Sequence, residues 1–304
     1  MEFSAKPRAR QDIEILRILS AFGIVWFHTG RDTYSVGNGG LVVFLVLSTY
    51  FAASRTGDIR PWKAALLDRA RRLLAPWAFW MVVFGIRNEY FVNRHVIETD
   101  RGWINGLLAG TSIHLWYLPY IFIVLLLLDL VATRWNKRRA AWASGLLAAI
   151  GLAFSLHWRP WVEQYGYPTI QYLHAFPAVL LGIFLAGAWD LGLVWMVVIL
   201  SAVLGAADYA LWKNVRGVGT TYLAGIAVVS VVVLFPLRLP RWRSIELISG
   251  CAFGIYLCHP LYRGLYASIQ AVPVWAEVWL TFGSSLASVL VARLLFPKVV
   301  SWVC

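Results

Sequence analysis

The chain has 304 residues, 60% of them hydrophobic and only 14% charged, with 17 Trp and 16 Phe. A soluble domain is nearer ~45–50% apolar and ~25% charged, so a soluble enzyme, a disordered chain and a collagen-like chain are all excluded. The net charge of +12 reads in this context as basic cytoplasmic loops, not as a nucleic-acid surface.

Ten stretches of mostly apolar residues have the length of a membrane span: 13–29, 36–54, 73–92, 112–131, 141–157, 170–187, 191–206, 219–236, 246–268 and 274–296. The expected fold is therefore all-α, a polytopic transmembrane bundle with short loops. One integral-membrane domain is expected over residues 1–304, with residues 1–12 as a cytoplasmic N-terminal segment. With the N-terminus inside, the inner loops carry 17 Lys and Arg and the outer loops 6. That asymmetry, with an even number of spans, places both termini in the cytoplasm. The first span has a basic front but is interrupted by Asp12, Glu14 and Arg17 and lacks a small-residue cleavage pattern, so it is expected to stay attached. Cys251, Cys258 and Cys304 form no disulfide or zinc framework.

Ionisable residues inside spans are costly and point to function. The first span holds Glu14, Arg17 and His28. At about 100° per residue, all three fall on one helix face. Glu14 and Arg17 are i,i+3 neighbours able to pair, and His28 lies ~16 Å further along the axis, toward the outer side. In the second span comes Phe44-Leu45-Val46-Leu47-Ser48, followed by a basic loop, Asp68-Arg69-Ala70-Arg71-Arg72, and Pro76. Read as α-helix, this loop stacks Arg69 and Arg72 on one face, a guanidinium fork suited to phosphates. The fourth span opens with His114-Leu115-Trp116-Tyr117-Leu118-Pro119, and the ninth contains Phe253-Gly254-Ile255-Tyr256-Leu257-Cys258-His259-Pro260. An aromatic belt accounts for Trp and Tyr at such places, but His114 and His259 need partners or a water cavity. Pro260 is expected to bend its span. No helical His-x3-His or carboxylate spacing supports a metal, and none is expected.

Taken in order, these segments resemble the motifs of the acyltransferase family 3 integral-membrane O-acyltransferases. Glu14-Ile15-Leu16-Arg17 and His28 are similar to its Asp-x-x-Arg…His signature, and residues 44–48 to its Phe-Phe-x-Leu-Ser-Gly. Arg69-x-x-Arg72 resembles its Arg-x-x-Arg loop, and the His114 and His259 segments its later motifs. Glu14 stands where the family has Asp, and Thr49 where it has Gly after the Ser. The extracytoplasmic domain that some members append is not expected here.

The resemblance implies a ten-span enzyme that moves an acyl group, usually acetyl, from cytoplasmic acyl-CoA to a hydroxyl of an envelope glycan or related carbohydrate or glycolipid acceptor. Acyl-CoA is then a co-substrate, with no permanently bound cofactor, and the expected location is the inner (cytoplasmic) membrane. His28 is the expected base or acyl carrier, since imidazole suits proton transfer near neutrality. Arg69 and Arg72 would bind the donor phosphates, and Glu14 and Arg17 would serve structure or the donor channel. Ser48, His114, Trp116, Tyr117, Tyr256 and His259 are expected to line the path. The alternative is a transporter or flippase of a glycan precursor or small polar solute, which would also use intramembrane charges and broken spans.

Overall fold

The computed structural model describes residues 10–29, 37–55, 61–92, 103–132, 136–191, 218–269 and 272–303; among these there are helices and no strand. Helices α1 (Gln11–His28) and α2 (Asn38–Ser54) are followed by α3 (Trp62–Arg69), which runs through a wider π-helical stretch, Ala70–Leu74, into α4 (Ala75–Arg87). Next come α5 (Trp103–Ala109), a 3-10 turn (Ile113–Trp116), α6 (Tyr117–Ala132), α7 (Lys137–Ala153), α8 (Ser155–Glu163) and α9 (Thr169–Leu191). The last part of the chain forms α10 (Thr220–Leu234), α11 (Arg243–Gly250), α12 (Ala252–Ala267), α13 (Val274–Leu295) and α14 (Pro297–Val303). A helix stands at each predicted span except 191–206, which falls almost wholly outside the described residues.

Three helical segments, Ile113–Val131, Thr169–Gly187 and Trp275–Leu295, are long and apolar enough to cross a membrane alone. The bent pairs α7/α8 (77°) and α11/α12 (56°) bring the number to five if each is one span. The outward surface is apolar too. On α13, Trp275, Trp279 and Leu294 are 73%, 62% and 81% exposed. Such a face is unfavourable in water and suits hydrocarbon, where helices satisfy their own backbone.

Helix α2 lies at the centre, against α1, α6, α9 and α10, and small residues allow the approach. A Cβ on Gly40 would fall 2.4 Å from the Ser20 carbonyl oxygen of α1. At Thr49, where the family pattern has Gly, the room comes from the other side. Thr49 is fully buried and bonds back to the Leu45 carbonyl at 3.0 Å. A Cβ on Gly182 of α9 would fall 2.0 Å from its Oγ1. The glycine needed for close contact is thus supplied by the facing helix.

The bend expected at Pro260 lies elsewhere. Helix α12 continues through Pro260, and the break falls at Gly250–Cys251, between α11 and α12. There the Gly250 carbonyl, released from the helical ladder, accepts from Arg293 Nη2 of α13 at 2.5 Å. At Pro260 the missing N–H frees the carbonyl four residues earlier, that of Tyr256. The His259 ring takes it, with Nδ1 at 2.8 Å. With the freed carbonyl satisfied by a side chain, the helix proceeds without breaking.

Candidate active site

His28 ends α1 and lines a cleft of about 280 Å³ together with Arg87, Ser112, His114, Pro260 and Arg263. The cleft therefore draws on the ends of α1, α4 and α12 and on the turn that opens α6. His28 Nδ1 lies 2.9 Å from His259 Nε2, with the ring centroids 5.0 Å apart and 20° between the ring planes.

These contacts fix where the protons sit. A carbonyl only accepts, so His259 Nδ1, facing the Tyr256 carbonyl oxygen at 2.8 Å, carries the hydrogen. His259 is 0% exposed, and a neutral imidazole carries a hydrogen on one nitrogen only. Its Nε2 is then a bare acceptor, so His28 Nδ1 must donate to it. By elimination His28 Nε2 holds the lone pair, on a residue that lines the cleft. The sequence builds this chain locally: Pro260 releases the Tyr256 carbonyl, the carbonyl fixes His259, and His259 fixes His28.

His114 is fully engaged in a different way. Its Nε2 donates to the Leu257 carbonyl at 3.2 Å, which leaves Nδ1 to accept from the Ser112 hydroxyl at 3.0 Å. It pins the turn before α6 onto α12, and its ring meets that of His259 at 5.4 Å. The Tyr256 hydroxyl donates to the His114 carbonyl, closing the same joint from the other side. Deeper in the bundle Ser48 Oγ and the Tyr117 hydroxyl are 3.0 Å apart, and the Tyr117 ring contacts Tyr256 at 5.5 Å. Trp116 packs beside Tyr117 at 6.2 Å. Polar and aromatic groups therefore run without a break from His28 inward to Tyr117, which lies within electrostatic reach of Arg17.

Glu14 and Arg17 form the i,i+3 pair, Nη1 to Oε2 at 3.2 Å. The same carboxylate accepts from the Ser249 hydroxyl of α11, tying α1 to the helix before the break. Neither residue lines the cleft.

Arg69 and Arg72 sit apart from this group, and each is held by its own carboxylate. The turn after Arg69 is π-helical, and its wider winding changes the phase between positions three apart. Arg69 makes a two-pronged contact with Asp129 of α6, Nε to Oδ2 and Nη2 to Oδ1 both at 2.6 Å. Arg72 pairs with Asp68 at 3.0 Å. Asp129 lies twelve residues beyond Tyr117 on α6, ~18 Å along the axis, so these arginines are at the opposite end of the bundle from the cleft.

Two charged residues of the cleft, Arg87 and Arg263, were not singled out by the sequence reading. Both border the cleft, and Arg263 lies within electrostatic reach of His28. The available signal was the general one that an arginine in an apolar span has a purpose. Among the described residues no group of three or more His, Cys, Asp or Glu is placed to hold a metal ion.

The family model for the acyltransferase domain of acyltransferase family 3 matches residues 10–296. The match spans every segment described above, from Glu14 to Pro260. No curated protein and no solved structure matches the chain.

Proposed function

The chain belongs to acyltransferase family 3, and on that premise we propose that it moves an acyl group, acetyl in this reading, from cytoplasmic acyl-CoA to a hydroxyl of an envelope glycan or related carbohydrate acceptor. In the proposed arrangement it crosses the inner membrane ten times with both termini in the cytoplasm, in keeping with the bias of basic loops.

The observation that carries the reading is the chain from the Tyr256 carbonyl through His259 to His28. It presents one basic nitrogen in a cleft and holds the opposite nitrogen in place, as an acyl-transfer base requires. The acceptor hydroxyl gives its proton to His28 Nε2 as its oxygen bonds to the thioester carbonyl carbon. The resulting oxyanion faces the guanidiniums of Arg263 and Arg87, whose fixed charge favours the tetrahedral state over the thioester. Collapse breaks the C–S bond, and the proton on His28 passes to the departing thiolate. The route through an acyl-His28 uses the same atoms, with Nε2 attacking the thioester first.

Arg69 and Arg72 are assigned in this reading to the phosphates of acyl-CoA at the other end of the bundle. Donor phosphates would then replace Asp129 and Asp68 as guanidinium partners, and the pantetheine arm would run along the polar track past Tyr117. The test is direct: purified protein should release CoA from acetyl-CoA when supplied with envelope glycan and add acetyl ester to that glycan. Accumulation of an unmodified solute in vesicles without CoA release would favour a transporter instead.

A further inference from the structure

Helix α12 turns one face to the cleft. Pro260, Arg263, Gly264 and Ala267 all line it, at the i, i+3, i+4 and i+7 positions of one helical stripe. Arg87, the last residue of α4, reaches the same cleft from another wall.

Gly264 marks where these two walls meet. A Cβ built on it would fall 2.4 Å from Arg87 Nη2, 3.3 Å from Cζ and 3.7 Å from Nε. All three of its nearest neighbours belong to that one guanidinium group. At Gly40 and Gly225 the nearest atoms are backbone of a facing helix, and glycine there serves helix approach. Nor do the torsions of Gly264 require glycine, since it lies inside α12 without the positive φ found at Gly110, Gly166 and Gly219. Within a helix glycine is less favourable than alanine. The helix carries that disadvantage where neither torsion nor helix approach demands it. What the missing methyl supplies is room for a guanidinium.

The room is tight enough to set a position. Ordinary contact begins near 3.4 Å, so a methyl on residue 264 would push Nη2 back by about 1 Å. The far end of a long side chain can yield that much without either helix moving. Stabilisation of developing charge depends on donors already aimed at it, and a displacement of that size spoils the aim.

We propose that Gly264 is a positioning residue for acyl transfer, its bare Cα forming the seat that holds the Arg87 guanidinium in the cleft facing the oxyanion. The catalytic half of this rests on the acyltransferase reading above; the seat itself does not.

The experiment is a double-mutant cycle on the full chain in detergent, Gly264→Ala against Arg87→Gln. CoA release from acetyl-CoA in the presence of envelope glycan and the melting temperature are both read on each variant. Gln ends at the place of Arg87 Nε, 3.7 Å from the added methyl, so it clears the seat. Gly264→Ala should lower kcat about 10- to 100-fold, less than the ~10²–10³-fold of a donor lost outright, with little change in acetyl-CoA KM. In the Arg87→Gln background the same substitution should leave kcat unaltered. It should also raise the melting temperature more in that background than in wild type, because there the methyl gains helix propensity without displacing a side chain. Wild-type kcat in Gly264→Ala would overturn the positioning role, and so would an equal fall in both backgrounds, which would mark a packing defect. If the wild-type chain releases no CoA, the acyltransferase reading fails and the melting temperatures alone decide the seat. A larger gain in the Arg87→Gln background would then retain it, and equal gains would reject it.

Discussion

Replacing His259 separates its role in fixing His28 from a role in packing alone. His259→Leu removes the acceptor 2.9 Å from His28 Nδ1 while keeping an apolar body of similar reach. His28 then loses both its tautomer preference and the partner that supports its ring when it takes up a proton. A hydrogen bond to a charged group is worth ~1.5–3 kcal/mol, which converts to a loss of about 10- to 150-fold in kcat. Loss of the Asp in a serine-protease triad costs ~10⁴-fold, and a neutral imidazole should matter less than a carboxylate. His259→Gln restores an acceptor near the Nε2 position and should recover most of the loss, although the Tyr256 carbonyl stays unmet. The assay is steady-state CoA release by purified variants, normalised to folded protein, with acetyl-CoA KM measured separately. The loss should appear in kcat, with KM for the donor little changed. A well-folded Leu variant with near-normal kcat would refute the reasoning, and so would a Gln variant as impaired as Leu.

Arg69→Ala with Arg72→Ala should raise the KM for acetyl-CoA with little change in that for the acceptor; Lys at both positions should rescue poorly, since it offers a point charge in place of a fork. Unchanged donor KM in the double variant would confine the pair to holding Asp129 and Asp68. Arg293→Leu leaves the Gly250 carbonyl unmet at the helix break and should cost ~1–3 kcal/mol, read as a lower melting temperature in detergent, while an unchanged melting temperature would show that the carbonyl has another partner. A cysteine introduced near the N-terminus and the native Cys304 should be labelled by an impermeant maleimide only in inside-out vesicles; labelling in right-side-out vesicles would contradict the expected orientation.

Much of this was legible in the sequence, for reasons that differ by residue. The face shared by Glu14, Arg17 and His28 follows from helical periodicity, which acts within one segment. The bond between His28 and His259 spans 231 positions and depends on how α1 packs on α12, which periodicity does not encode. Pro260 was read as a bend, because the rule for a missing N–H considers only the backbone. A side chain, the adjacent His259, met the freed carbonyl instead. The i,i+3 spacing of Arg69 and Arg72 was read in α-helical phase, and the π-helical stretch Ala70–Leu74 shifts that phase.

The account's central claim is that His28 Nε2 is the reacting base or acyl carrier, and His28→Ala tests it most directly. The variant removes the lone pair without adding bulk or charge. Acyl transfer by the purified, monodisperse variant should fall by ~10²–10⁴-fold, the scale for a lost general base, with acetyl-CoA binding retained. Near-normal transfer per folded molecule would contradict the claim and reduce His28 to a packing partner of His259.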